Sequence, residues 1–113
     1  MPAGYQDLFL EQGTTFSTSL TLQDENGLPY ELTNFSVRSQ ARKSYYSTNP
    51  TITFTSSVLD ANNGIIQLFA DAPTTANVPY GKLVYDVLLT DMSSNTVSRV
   101  LEGQIFVSPT VTR

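Results

Sequence analysis

The strongest constraint on this chain is the spacing of its apolar residues, which recur at every second position rather than every third or fourth. The stretch YGKLVYDVLLTDMSSNTVSRVLEGQIFVSP, Tyr80 to Pro109, shows it best. Its odd positions, Leu83, Tyr85, Val87, Leu89, Val97, Leu101, Ile105 and Val107, make one apolar face. Period two over this length predicts two long strands, with Ser93 to Asn95 as the hairpin tip. Arg99 interrupts the face, which predicts a bulge or a barrel-edge position there. The even positions carry Val84, Leu88, Val100 and Phe106 beside Asp86, Glu102 and Gln104. Such a face is too apolar for free solvent and too polar for a core. It predicts a contact patch formed by Val84, Leu88, Val100 and Phe106, or a face covered by the N-terminal segment or a loop of the same chain.

The same alternation recurs upstream. TFSTSLTLQ puts Phe16, Thr18, Leu20 and Leu22 on one side, and FSVRSQARKS puts Phe35, Val37 and Ala41 opposite Ser36, Arg38, Gln40 and Arg42. TITFTSSV aligns Ile52, Phe54 and Val58, whereas IIQLFA has apolar residues at both parities and no assignable face. YQDLFLEQG reads as a short first strand ended by Gly13, and Thr74 to Asn77 as one helical turn. DENG, Asp24 to Gly27, and LDANNG, ending at Gly64, are turn signals. About seven strands at 8–14-residue spacing, with no sustained helical period, predict an antiparallel, Ig-like β-sandwich; a small β-barrel is the alternative. Tyr85, two residues before Val87, matches a tyrosine corner, and equally an aromatic alternating into the core. The 113 residues read as one domain, with Met1 to Leu10 a candidate N-terminal arm reaching a neighbour.

Composition narrows the function classes. The net charge of −4 argues against nucleic acid as a partner, which calls for a basic footprint. With neither cysteine nor histidine, the chain has no disulfide framework and no familiar zinc site. No apolar run approaches the ~20 residues of a membrane-spanning helix, and MPAGYQDLFLEQG lacks the basic and apolar regions of a signal peptide. Charged residues are 14%, with Ser and Thr in their place, so the surface is desolvated at modest cost against a partner.

Three groups of residues invite chemical readings. The two Asn/Asp-rich turns offer oxygen ligands, but neither has the length or the closing bidentate Glu of a calcium loop, so they read as plain turns and no metal is expected. Arg38, Arg42, Tyr45 and Tyr46 form a basic–aromatic cluster able to stack on a sugar or meet a partner's carboxylate; the bland alternative is a solvated strand end. Asp86 and Glu102, the carboxylates well inside strands, are candidate cross-strand neighbours. A glycosidase pair flanking one bond would need a cleft that so small a sandwich has little room for. No enzymatic activity and no cofactor are expected.

A resemblance extends this reading. LFLEQGTTFSTSLTLQDENGLPYELTNFSVRSQAR, then GKLVYDVLLTD, then VSRVLEGQIFVSPTVTR, resemble a family of small tailed-phage virion proteins. They are similar to the N-terminal adaptor domain of the upper baseplate protein of lactococcal siphophages. The segment from about Ser44 to Ala72 matches only as generic strands and turns. The resemblance implies an Ig-like sandwich in the virion, made in the bacterial host cytoplasm and working through contacts with other virion proteins in a symmetric homo-oligomer. It carries over no catalytic residue. In that family further domains follow; this sequence ends at Arg113, which fits a baseplate, neck or tail accessory subunit, or a capsid decoration protein.

Overall fold

The computed structural model describes residues 4–23 and 26–111. Nine strands and one short helix follow in order: β1 Gly4–Tyr5, β2 Leu8–Glu11, β3 Phe16–Thr21, β4 Phe35–Arg42, β5 Ile52–Thr53, β6 Thr55–Asp60, β7 Ile65–Ala70, α1 Ala72–Ala76, β8 Gly81–Asp91 and β9 Thr96–Ser108. They form two packed sheets, so the chain is an all-β sandwich and not a closed barrel. The larger sheet runs β1-β9-β8-β4-β5, with β2 also pairing β9; the smaller runs β3-β7-β6.

Alternation makes the core. Leu8 and Leu10 of β2, Val37 and Ala41 of β4, Leu83 to Leu89 at the odd positions of β8, and Ile105 and Val107 of β9 face the smaller sheet and are buried. From the other side Phe16, Ile66, Leu68 and Ala70 meet them. The ambiguous IIQLFA is the central strand of the smaller sheet: Ile66, Leu68 and Ala70 point into the core, and the opposite parity is only half-covered.

Two turns explain the polar punctuation. At Gly64 φ is +70°, and a Cβ there would lie 2.6 Å from the Leu22 carbonyl oxygen, so only glycine fits. The Asp60 carboxylate accepts the backbone N–H groups of Asn62 and Asn63 and the Asn63 side-chain amide, at 3.2, 3.3 and 2.8 Å. These bonds, the Asn63 amide foremost, hold its pKa below the usual value. The Asp60 oxygens thus close the turn itself. In the other turn Asp24 and Glu25 lie outside the described residues. The helical turn sits slightly earlier than expected, because Asp71 caps it by accepting Thr74 N–H at 3.0 Å.

The sheet is not purely antiparallel. β1 and β2 pair parallel with β9, Leu8 opposite Ile105 and Leu10 opposite Val107. Of the expected arm Met1 to Leu10, the segment from Gly4 to Leu10 therefore lies on its own sheet; Met1 to Ala3 lie outside the described residues. What seats it is a missing side chain. A Cβ at Gly103 would fall 2.0 Å from the Gln6 carbonyl oxygen. Gln6 crosses there, between β1 and β2, its N–H bonded to the Glu102 carbonyl at 2.9 Å. The Tyr85 hydroxyl donates to the Gln6 carbonyl, and Asp7 Oδ1 accepts Gln104 N–H at 3.3 Å. Tyr85 is therefore no tyrosine corner. Its ring is core, burial pushes its phenol pKa well up, and its hydroxyl bonds 79 residues upstream.

Candidate functional surface

The outer face of β9-β8-β4 is built in rows by the strand register. Gln104, Val84 and Arg42 form one row; Glu102, Asp86 and Gln40 the next; Arg99, Leu88 and Arg38 the third. Tyr5 extends the middle row at the sheet edge, opposite Glu102. Phe9 and Phe106, opposite each other on β2 and β9, stack with ring centroids 5.5 Å apart, and Phe9 is 75% exposed.

Of the four residues expected to form one patch, the structure keeps Val84 and Leu88 on the outer face and separates them by the Asp86 row. Phe106 is half-buried because Phe9 of the N-terminal segment lies against it, so the intramolecular alternative holds there. Val100 leaves the patch altogether. Val87 pairs with Leu101 and Leu88 with Arg99, so Val100 is the extra residue of a bulge and packs against the core. The break expected at Arg99 is this bulge. It also reverses parity beyond it: Val97 faces Thr90 on the outside, 49% exposed, instead of lining the core.

The basic–aromatic cluster is dispersed. Arg42 Nη1 donates to the Ser47 and Thr48 carbonyls, both at 3.0 Å, and Nη2 to Gln40 Oε1 at 3.0 Å. Its guanidinium staples the loop after β4 and is not a free sugar contact. Tyr45 lines a hollow of about 120 Å³ with Gln40, Arg42, Val84 and Asp86. Tyr46 is 95% exposed and does not line that hollow, and Arg38 lines a different one.

Asp86 and Glu102 are directly opposed, as expected of cross-strand neighbours. Two like charges in that position repel. Arg99 relieves the pair by bonding Glu102 at 3.1 Å. Asp86 nonetheless has a raised pKa: burial raises it most, Arg99 and Arg42 oppose the shift, and Glu102 adds to it. The carboxylates sit on an open sheet face among arginines, an arrangement that suits recognition of a complementary charged surface. Among the described residues no group of three or more acidic side chains is placed to hold a metal ion.

Two features of this surface had no readable sequence signal. The Phe9–Phe106 stack joins residues from opposite ends of the chain. Among the described residues β5 pairs only with Gln40 and Ala41, which leaves the rest of that edge of β4 open. No protein-family model and no curated protein matches this chain.

Proposed function

We propose that the chain is a non-enzymatic structural subunit of a tailed-phage virion, a tail, baseplate or neck adaptor or accessory component acting through protein–protein contacts. One observation carries the reading. The outer face of the larger sheet mixes half-buried Val84 and Leu88 and the exposed Phe9 ring with interleaved arginines and carboxylates. Apolar side chains within a polar, charge-patterned rim are the make-up of a recognition surface. The sequence resemblance supplies the setting. Quantitative mass spectrometry of washed phage particles tests it. A fixed stoichiometry, lost when Val84→Asp and Leu88→Asp are introduced into a chain that still folds, supports an assembly role. Absence of the wild-type chain from particles sinks it. Hundreds of copies per particle would move the subunit to the capsid or the tail tube.

A carbohydrate-binding module is the second reading, favoured by Tyr45 beside its polar hollow. Glycan-array binding that disappears in Tyr45→Ala would select it.

A further inference from the structure

The larger sheet ends in two strand edges of matching length. At one end β4 pairs with β8 along its whole length, but on its other edge β5 covers only Gln40 and Ala41, so that among the described residues no strand pairs that edge of Phe35 to Arg38. At the other end β2 pairs with β9, and among the described residues no strand pairs its far edge. A hollow borders each edge, about 350 Å³ beside β4 and about 530 Å³ beside β2. We propose that these two edges are the halves of one head-to-tail interface, in which β2 of one copy of this chain adds parallel to β4 of the next. The inference rests on the assembly reading above and names its partner as a second copy.

Three independent features agree on one register. The first is direction. β2 is parallel to β9, β9 antiparallel to β8, and β8 antiparallel to β4, so β2 and β4 point the same way. A rotation about an axis along the strands preserves direction and brings the two edges together in parallel.

The second is backbone polarity, since alternate residues of a strand turn their N–H and C=O to the same side. The N–H groups of Gln6 and Gln12 bond β9, so Phe9 and Glu11 present theirs outward. The Ser39 and Ala41 carbonyls accept from Phe54 and Thr51 on the β5 side, so Phe35 and Val37 present theirs to the free edge. Placing Phe9 opposite Ser36 then gives Phe9 N–H to Phe35 C=O, Val37 N–H to Phe9 C=O, and Glu11 N–H to Val37 C=O. The Phe35 N–H, already bonded to the Leu32 carbonyl, is not needed.

The third is side-chain chemistry. In this register buried Leu8 and Leu10 line up with Phe35 and Val37 on the core side. On the outer side Glu11 meets Arg38, and neither makes an ion pair among the described residues. β2 ends at Glu11 and turns away just where β5 begins to occupy the β4 edge. A heterologous contact of this kind closes into a ring or propagates as a filament.

Cross-linking tests the geometry, and the absence of native cysteine makes it clean. Glu11→Cys and Arg38→Cys variants are treated with a short bis-maleimide, separately and mixed. The proposal expects a cross-linked dimer in the mixture, none with either variant alone, and a ladder from the chain carrying both changes. Reversing the charge in Arg38→Glu should weaken self-association by about tenfold in sedimentation, and adding Glu11→Arg should restore it. Cross-linking of each variant to itself, or a wild-type chain that stays monomeric at about 1 mM, overturns the proposal. A chain found in particles but failing this test refutes the head-to-tail interface and leaves the virion reading standing. A chain that passes it but is absent from particles refutes the virion assignment alone.

Discussion

Gly103→Ala is the sharpest perturbation of this fold. The added methyl would stand 2.0 Å from the Gln6 carbonyl oxygen and 2.8 Å from its carbonyl carbon, where real Cβ contacts stay beyond 3.0 Å. Both partners are backbone, so relief comes only from moving the N-terminal segment by about 1 Å. Three bonds depend on its position: Gln6 N–H to Glu102, Tyr85 hydroxyl to Gln6, and Gln104 N–H to Asp7. At a net value of about 1 kcal/mol each, their loss costs about 3 kcal/mol. The ceiling is higher, since full detachment would also uncover Leu8 and Leu10 at roughly 1.5–3 kcal/mol apiece. Urea unfolding should therefore show a loss of about 3 kcal/mol, and a melting temperature lower by roughly 12 °C. Hydrogen exchange should localise the damage to amides of residues 6–12. Tyr85→Phe, which removes one of the three bonds and leaves the ring in place, should cost about 1 kcal/mol. A Gly103→Ala protein within roughly 0.5 kcal/mol of wild type would show that the segment is not seated on this glycine, and the account of β1 and β2 would fail.

Asp86 gives a pH signature. Its folded pKa is raised above 3.8, so its protonated form suits the fold, and stability is lost as pH rises through the folded value. Asp86→Asn should therefore stabilise the protein at neutral pH by about 0.5 kcal/mol, after discounting for solvent screening, and make no difference well below the ordinary aspartate pKa. A stability gain of the same size at acidic pH would contradict this. Leu68→Ala, at a fully buried position on the central strand of the smaller sheet, should cost about 3 kcal/mol in denaturant unfolding, and a cost under roughly 1 kcal/mol would mean that the two sheets do not pack there.

Most of the layered architecture is legible from period two. The inward faces of β3, β4 and β6 and the hairpin of β8 and β9 lie where alternation puts them, because a half-buried strand has only two faces to choose between. Three kinds of information escape that logic. A central strand such as β7 carries apolar residues at both parities, so its direction is set by neighbours. A bulge reverses parity beyond itself, and Arg99 signals the break without saying that Val100 goes in and Val97 comes out. Contacts between distant segments, such as Gln6 on Gly103 or the Tyr85 hydroxyl on the Gln6 carbonyl, depend on closed geometry that no local pattern encodes. The candidate surface suffers for the same reason. Parity picks out its members, and the parity changes in the middle of β9.

The N-terminal strand ties the fold to the assembly reading. Gly103 and Tyr85 fix where Gln6 sits, and Gln6 sets which residues of β2 bond β9 and which turn outward. Had the segment slipped by one residue, Leu8 and Leu10 would leave the core, Phe9 would turn into it, and the backbone groups of Phe9 and Glu11 would face β9 instead of the free edge. The contact that completes the core therefore also defines the polarity of the free edge. Residues Leu8 to Glu11 are too few to make a strand of independent stability, but held in this register they form a rigid template four residues long. The opposite edge of the same sheet offers a gap of the same length, with the complementary hydrogen-bonding parity and an arginine where the template carries its glutamate. The selectivity of such an edge lies in this agreement of register, length and charge. Any loose strand can bond a free backbone, but only one that satisfies all three also keeps its apolar residues on the core side.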